Sequence, residues 1–580
     1  AEIDISKTQE FVIAISFGVK EEDAAHHAWS SLLDGYDTAR VEYIKGWKKF
    51  QDKLRSVKSD KNSIGKNYRS SAAVLNIHLS KKFPGGVVAS LSIPWGESKG
   101  DSDKAGYHLV WPRDLVETSG GFVALDSKDE ALQVLNYLMA TQEADGKWSQ
   151  NMWLGGQPNW TGLQMDEIAL PIVLVDKCFH DKKASPERLK RYWPGLKKAL
   201  SFLIMHGPYT QQDRWEEEPG LTAFTLATEI TALLSAAHLA EIDKDEDMTK
   251  YCRETADYWN GQIEKWTYVT DTPLSNEVVV DGYYMRTNNT HEPAEEVKNN
   301  VIKIKNRNDN NGKMHLWELI CVDALALVRF GLRTADDPKI LNTIKVIDAK
   351  LKVDTPNGPC WHRYANDGYG EDKDGNGFSG NGIGIGRAWP LLAGERGHYE
   401  IAAGNIAGAK EILKSIDKFA NNGLLSEQIW DTDDIPEKEL FFGRHSGSAM
   451  PLVWAHSEYI KLCYSIKEKK IFDMSLHSQE RYIKNKVTSP FVVWRFSWPC
   501  KTVPHNKKLR IEVKAAAVVH WSVDSWKTSN DTETIDTKLG IHLADIDLRK
   551  SGSEKIQFTF FWKKANHWED KNYQLPILKS

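Results

Sequence analysis

Four textures of apolar and polar positions follow one another along the chain. Residues 8–18, TQEFVIAISFG, alternate, which predicts a strand. From about 20 to 57, apolar residues recur at helical spacing through AWSSLLDGYDTARVEYIKGWKKFQDKL, which predicts a long amphipathic helix. Between about 67 and 466, helical segments alternate with loops rich in Gly, Trp, Pro, Asp and Asn. The spacing predicts about twelve helices, starting near residues 67, 115, 127, 163, 186, 221, 246, 314, 335, 385, 398 and 445. Near 470 the texture changes again. FVVWRFSW, LRIEVKA, VVHWSV, GIHLADI and IQFTFFW are short strands separated by turn residues, the pattern of a β-sandwich.

The chain is therefore expected to be mainly α, in three parts: 1–60 (a strand and linker helix), 61–470 (helical), and 471–580 (the sandwich). About twelve helices joined by alternately short and long connections suggest six hairpins closed in a ring, an (α/α)6 barrel. A helical solenoid is the alternative, but no fixed repeat period is visible. In a toroid the long loops gather at one end, and long loops carry function.

Composition narrows the classes. At 580 residues the chain exceeds one ordinary domain, and 41% hydrophobic content supplies a sizeable core. A net charge of −5 offers nothing to nucleic acid. No apolar run approaches about 18 residues, so no membrane span is expected. The first residues, AEIDISKTQE, lack the basic and apolar regions of a signal peptide, which fits a processed end or a cut within a longer chain. The six cysteines show no zinc spacing and read as buried thiols. The 22 tryptophans are unusual. Many belong to cores, but indoles on loops also suit the C–H faces of sugars.

Loop clusters hold the candidate chemistry. YHLVWPRDL (107–115) carries Trp111, Arg113 and Asp114. NWTGLQMDE (159–167) carries Trp160, DRWEEEPG (213–220) carries Trp215, Glu216 and Glu217, and LLSEQIWD (424–431) carries Glu427. WHRYANDGYGE (361–371) adds Arg363 and Tyr364. Singly, each has an ordinary reading: a solvated glutamate, a local Arg–Asp pair, or Asp114 as a helix cap. Their combination on the loops of a helical toroid points to a carbohydrate pocket.

These motifs resemble glycoside hydrolase family 15, the glucoamylase and glucodextranase family, in its bacterial and archaeal branch. The resemblance rests on WPRD, RWEE, HRYANDGYGE, GRAWPLLAGERG (386–397) and SEQ, in that order, over about 67–466. It implies Glu216 as general acid, Glu427 as general base and Glu217 as a ligand of the leaving sugar. It places Arg113, Asp114 and Arg363 on the terminal glucose, with Trp160 in the pocket. Trp111, Trp215, Tyr364 and Trp454 are expected to line that pocket, and Glu218 to face solvent. The implied activity is inverting exo-hydrolysis of α-1,4-glucans with release of β-D-glucose. Glucodextranase action on α-1,6 links, trehalase activity and a non-catalytic glucan-binding protein are the rivals. The implied location is secreted or periplasmic. Relatives in this branch carry an N-terminal β-sandwich, of which 8–18 is expected to be the last strand; a missing sandwich segment is then a partner.

Several signals are weaker. GNGIGIG (380–386) lacks the strand a nucleotide loop needs. DKDGNGF (372–378) begins like an EF-hand, but position 12 is Ile383. No cofactor is required; a structural calcium ion in a loop of another kind is kept as an expectation. Asn159, Asn288 and Asn530 begin Asn-x-Thr sequences and are discounted as glycan sites. Trp521, Trp526 and Trp568 read either as sandwich core or as a glucan-binding surface.

Overall fold

The structure, a computed structural model, describes residues 6, 10–57, 65–96, 106–180, 185–308, 312–549 and 552–578. It divides into two compact units, residues 1–56 and 57–580.

In the first unit the expected strand is absent: residues 10–18 are irregular, and 8 and 9 lie outside the described residues. The alternation is real, but among the described residues no neighbouring strand completes its ladder, and a lone strand is not stable. Phe11, Ile13, Ile15 and Phe17 are 53–89% exposed. The single expected helix is two, α1 (Glu21–Asp34) and α2 (Tyr36–Asp52). They break at Gly35, whose φ of +80° few other residues tolerate. Neither helix buries a residue.

The second unit is built on helices α3 (Tyr68–His78), α4 (Pro112–Leu125), α5 (Lys128–Thr141), α6 (Met165–His180), α7 (Pro186–His206), α8 (Ala223–Ile242) and α9 (Glu246–Asn260). They are followed by α10 (Leu325–Arg329), α11 (Pro338–Lys350), α12 (Pro390–Ala402), α13 (Ile406–Phe419) and α14 (Val453–Glu468). Local chemistry sets their starts. Ser185, Thr222 and Asp245 each accept a backbone N–H from the first turn of α7, α8 and α9.

The helix expected near 314 is not there. Its apolar run MHLWELICVDALALV is split between strand Lys313–His315, two 3₁₀ turns and the short α10. Backbone pairing of Val301–Lys303 with Lys313–His315 overrides the local helical pattern. The reading that no long apolar run exists also needs correction. α8 is long and apolar enough to cross a membrane by composition, but 94% of its apolar window is buried inside the unit.

The helices pack in a closed order. α4 lies on α6, α6 on α8, α8 on α10, α10 on α12, α12 on α14, and α14 returns to α4. α5, α7, α9, α13 and α3 pack on α4, α6, α8, α12 and α14 respectively.

Two strand layers follow. One sheet runs Ile535–Asp536, His542–Ile546, Lys508–Val513, Phe491–Arg495. The other runs Asn530–Glu533, Ala517–Ser522, Lys555–Trp562, Tyr573–Leu578, Val503–Pro504. Trp494, Ile511, Phe558 and Phe560 fill the space between the layers. This part is braced on α7 and α9: Arg495 donates to the Ile204 carbonyl at 2.7 Å, and Tyr251 to Glu512 at 3.1 Å. Trp521 packs on the core, and its Nε1 donates to Thr532 at 3.0 Å. Trp526 stacks on His520, while Trp568 is 48% exposed.

Candidate active site

At the loop-bearing end of the helical part lies a cavity of about 450 Å³. Its wall is organised around a tight turn at 213–218. The Asp213 carboxylate accepts the N–H groups of Trp215 (3.1 Å) and Glu217 (3.0 Å), and its carbonyl accepts that of Glu216 (2.9 Å). Arg286 grips the other carboxylate oxygen at 2.6 Å. The turn forces Glu216 to φ +66°, a left-handed conformation costing about 1–2 kcal/mol for a residue with a Cβ. The effect is to swing its carboxyl into the cavity, where Gln150 donates to Oε2 at 3.2 Å.

Glu217 follows on the same wall. It accepts from Asn306 at 2.6 Å and lies 3.8 Å from Arg363. Glu218 does not face solvent as expected: it is 8% exposed, because the chain closes back there through the Asp213 N–H to Glu218 carbonyl bond, 2.8 Å.

Glu427 also lines the cavity. Tyr107 Oη donates to its Oε2 at 2.7 Å, and Tyr369 Oη lies 2.5 Å from that of Tyr107. Burial pushes Glu216 up to about 7; Arg113, Arg363 and Lys305 oppose the rise. Burial pushes Glu427 up to about 8 against the Tyr107 hydrogen bond, and Glu216 adds to the rise. The two share one cavity, and the charge of Glu216 acts on Glu427. Taken one by one, the values would leave the last proton on Glu427. Partners argue otherwise: Glu427 receives a hydroxyl donor that favours its ionised form, and Glu216 only a longer amide contact.

Arg113 and Asp114 are both at the cavity but are not a pair. Asp114 sits in the first turn of α4 and does not cap it; Trp111 holds the N-cap position, with Pro112 after it. Arg113 donates to Asp166 at 2.6 Å and to the Gln164 side chain. Loss of hydration pushes Asp114 up to about 7 despite Arg113 nearby. Arg363 is fixed by a two-pronged bond to Asp367, at 2.7 and 2.8 Å. Tyr364 is not in the cavity. Its neighbour Arg363 lines the pocket, whereas Tyr364 forms an isolated bridge with Cys321. Tyr364 lies instead beneath Arg286, whose guanidinium is 3.6 Å from its ring centre.

Trp111, Trp160, Trp215 and Trp454 all line the cavity, as does Trp389. Trp111 meets Trp160 edge to face at 5.6 Å, and Trp215 stacks on Trp454 at 6.2 Å. Tyr107 and Tyr369 stand within the quoted segments but were not singled out from the sequence, and Gln150, Lys305 and Asn306 carry no motif. The glycine run 380–386 has a packing role. A Cβ on Gly384 would lie 2.4 Å from the Gly368 carbonyl, so the run lets this strap back onto the segment holding Asp367 and Tyr369.

Cation sites find little room. In the 372–378 loop Asp372 accepts two backbone N–H groups at 2.9 Å, and Lys438 supplies the positive charge at Asp374 and Asn376. Among the described residues, two carboxylate or histidine groups have metal-compatible spacing. One, Glu117–Glu458–Asp473, already encloses Arg329 and Lys461. In the other, Asp176 bonds His238 at 2.6 Å and His477 at 3.1 Å.

Two carboxyls in a tryptophan-lined cavity, beside buried arginines, form the constellation of a sugar-cleaving site. The comparisons agree: residues 65–464 match the model of glycosyl hydrolases family 15, and the chain belongs to that family. Residues 1–52 match domain N of glucodextranase. A glucoamylase of Clostridium sp. (strain G0005) is 40% identical over 487 residues, 83% of this chain and 64% of its own length. A crystal structure of bacterial glucoamylase complexed with acarbose is 39% identical with a TM-score of 0.71, over 81% of this chain and 64% of that one. The chain thus spans a little under two thirds of these relatives. An uncharacterized glycosyl hydrolase of Methanocaldococcus jannaschii is 23% identical, over 62% of this chain and 51% of its own length.

Proposed function

We propose that this site hydrolyses α-1,4-glucans from their non-reducing ends and releases β-D-glucose. The observation that carries the reading is the pair Glu216 and Glu427 on one cavity, with different hydrogen-bond partners. Glycoside hydrolysis needs one carboxyl that gives a proton to the leaving oxygen and one carboxylate that acts on water. Glu216, raised to about 7, holds its proton near neutrality and serves as the acid. Glu427, with the Tyr107 hydroxyl on one oxygen, serves as the base; a substrate-bound water donates a second hydrogen bond to it and favours its ionised form. Inversion follows from water attacking opposite the leaving group.

Arg113, Asp114 and Arg363 bind the hydroxyls of the terminal glucose, Glu217 binds the leaving sugar, and the indoles pack on pyranose faces. The closed helix order supports an (α/α)6 barrel, which sets the separation of two acids far apart in sequence. The glucoamylase relatives support the substrate. A secreted or periplasmic location suits a polysaccharide substrate.

A proton NMR time course on maltotriose tests the reading. β-Glucose appears first. Initial α-glucose, or oligosaccharides from chain interiors, would refute it. The match to glucodextranase domain N gives the α-1,6 reading its one specific support. Initial rates on maltose and isomaltose decide between them, with maltose expected to be faster.

A further inference from the structure

The turn that aims Glu216 is held from within by Asp213, but its outer side has a different support. The Glu216 carbonyl accepts the Lys305 ammonium at 2.7 Å. Lys305 stands two residues beyond the strand Val301–Lys303, the first of a hairpin with Lys313–His315. The two residues after it are anchored as well. Asn306 donates to Glu217 Oε1 at 2.6 Å. Arg307 donates to the carbonyls of Asn366, Asp367 and Gly384, at 3.0, 3.0 and 2.9 Å. Three consecutive side chains thus tie the acid turn to the strap that fixes Arg363.

We propose that Lys305 is a positioning residue for the catalytic proton: by holding the carbonyl of Glu216 it keeps the left-handed turn closed and the acid aimed at the leaving oxygen. The inference rests on the reading of Glu216 as the acid. Three arguments carry it. A non-glycine residue at φ +66° relaxes unless outside bonds hold it. A bond from an ammonium to a carbonyl is stronger than a neutral one. Lys305 also lines the cavity, so its charge acts on the Glu216 carboxyl directly.

The groups that set the proton affinity of Glu216 come from several elements. Burial raises it, Arg113, Arg363 and Lys305 lower it, and Asp114 raises it. Glu167 on α6, Glu427 and Tyr369 couple to it as well. Removing Lys305 therefore moves the proton affinity of Glu216 upward and loosens its aim at the same time. The side chain is exposed, so its loss does not endanger the fold.

The test is the variant Lys305→Met against wild type, with maltotriose and α-glucosyl fluoride as substrates. On maltotriose kcat falls about tenfold, the scale of a modestly misplaced catalytic group, while KM changes little. The basic limb of the pH profile moves to higher pH. On the fluoride, whose leaving group needs little protonation, the rate stays near wild type. Lys305→Arg recovers most of the loss. Equal losses on both substrates with an unmoved basic limb would reduce Lys305 to a structural prop and overturn the proposal. Wild-type behaviour of Lys305→Met would overturn it too. A wild-type protein inert on both substrates would instead overturn the functional reading beneath it.

Discussion

Glu458 and Asp473, among the helices, and Glu216 and Glu427, in the cavity, are all withdrawn from water, yet their protons behave oppositely. Burial works against the charge of each. At Glu458 and Asp473 it loses: Arg329 and Lys461 hold both carboxyls below their usual range. Arg329 reaches Glu458 and Glu117 at 3.2 Å, and Lys461 reaches Glu458 and Asp473 at 3.1 Å. Among the described residues no cation bonds the carboxyl of Glu216 or Glu427, and burial wins. A Glu395 bridge links the two regions, 2.7 Å from Arg214 beside the acid turn and 3.4 Å from Arg329. Burial of an acid thus says little by itself; the cations in contact decide whether it holds a structure together or keeps a proton available.

The largest effect that separates the regions is on rate. Glu216→Gln loses about two to four decades on maltotriose, the usual worth of acid catalysis. The loss shrinks on α-glucosyl fluoride, whereas Glu427→Gln loses activity on both substrates. Neither variant lowers stability in urea, because neither carboxyl is paired with a cation. If Glu217→Gln showed the fluoride rescue and Glu216→Gln did not, the acid would be the wrong glutamate of the three.

The ion cage gives the converse. Lys461→Met leaves four carboxylates around one arginine and costs about 3–5 kcal/mol of stability, the range for breaking a buried pair. Activity per folded molecule is unchanged. Urea unfolding and initial rates, measured on the same sample, separate the two outcomes. Acid adds a check. Glu458 and Asp473 have depressed proton affinities, so the stability they contribute is full above the unfolded carboxylate range and is lost as pH falls below it.

What the sequence made legible follows the same division. The acids, Arg113, Arg363 and the pocket tryptophans stood out because unusual residue types cluster on loops in a fixed order. The sandwich was legible because its strands alternate in apolar and polar residues. Tyr107 and Tyr369 were not, since a single tyrosine near a helix start or in a glycine-rich strap carries no local signal; only the fold brings them to Glu427. Tyr364 was expected at the pocket from its place in the family motif, but its ring lies against Arg286, and only the fold decides which way such a side chain turns. The helix near 314 failed because strand pairing outweighed a helical pattern. The strand at 8–18 failed because a strand is defined by a neighbour, which no local pattern supplies.

A smaller effect tests how the cavity divides its proton. Tyr107→Phe removes the hydroxyl that favours ionised Glu427. Losing a hydrogen bond to a charged group lowers kcat by about tenfold to a hundredfold. The base acts only when ionised, so the acidic limb of the pH profile moves to higher pH. The basic limb, set by Glu216, moves less. A variant that lost rate with both limbs in place would show that Tyr107 shapes the cavity without tuning the base.

The smallest effect belongs to Glu218, which stands in the acid run but lacks a catalytic role. Burial raises it from 4.5 to about 7, opposed by Arg286 and reinforced by Asp213 and Glu217. The folded protein therefore binds this proton more tightly than the unfolded chain does. Its contribution to stability is full below the unfolded value of 4.5 and falls as pH rises toward about 7. Above that, the ionised side chain is a cost. Glu218→Gln relieves the cost, so it stabilises at pH 8 and not at pH 4. The gain is about 1 kcal/mol, since the side chain keeps some access to water and solvent screening discounts the full shift. Activity on maltotriose changes little. Urea midpoints of the two proteins at both pH values give the measurement. A Gln variant less stable than wild type at pH 8 would place Glu218 with the paired acids of the cage, and the division drawn from Glu216 and Glu427 would then stop at the pocket surface.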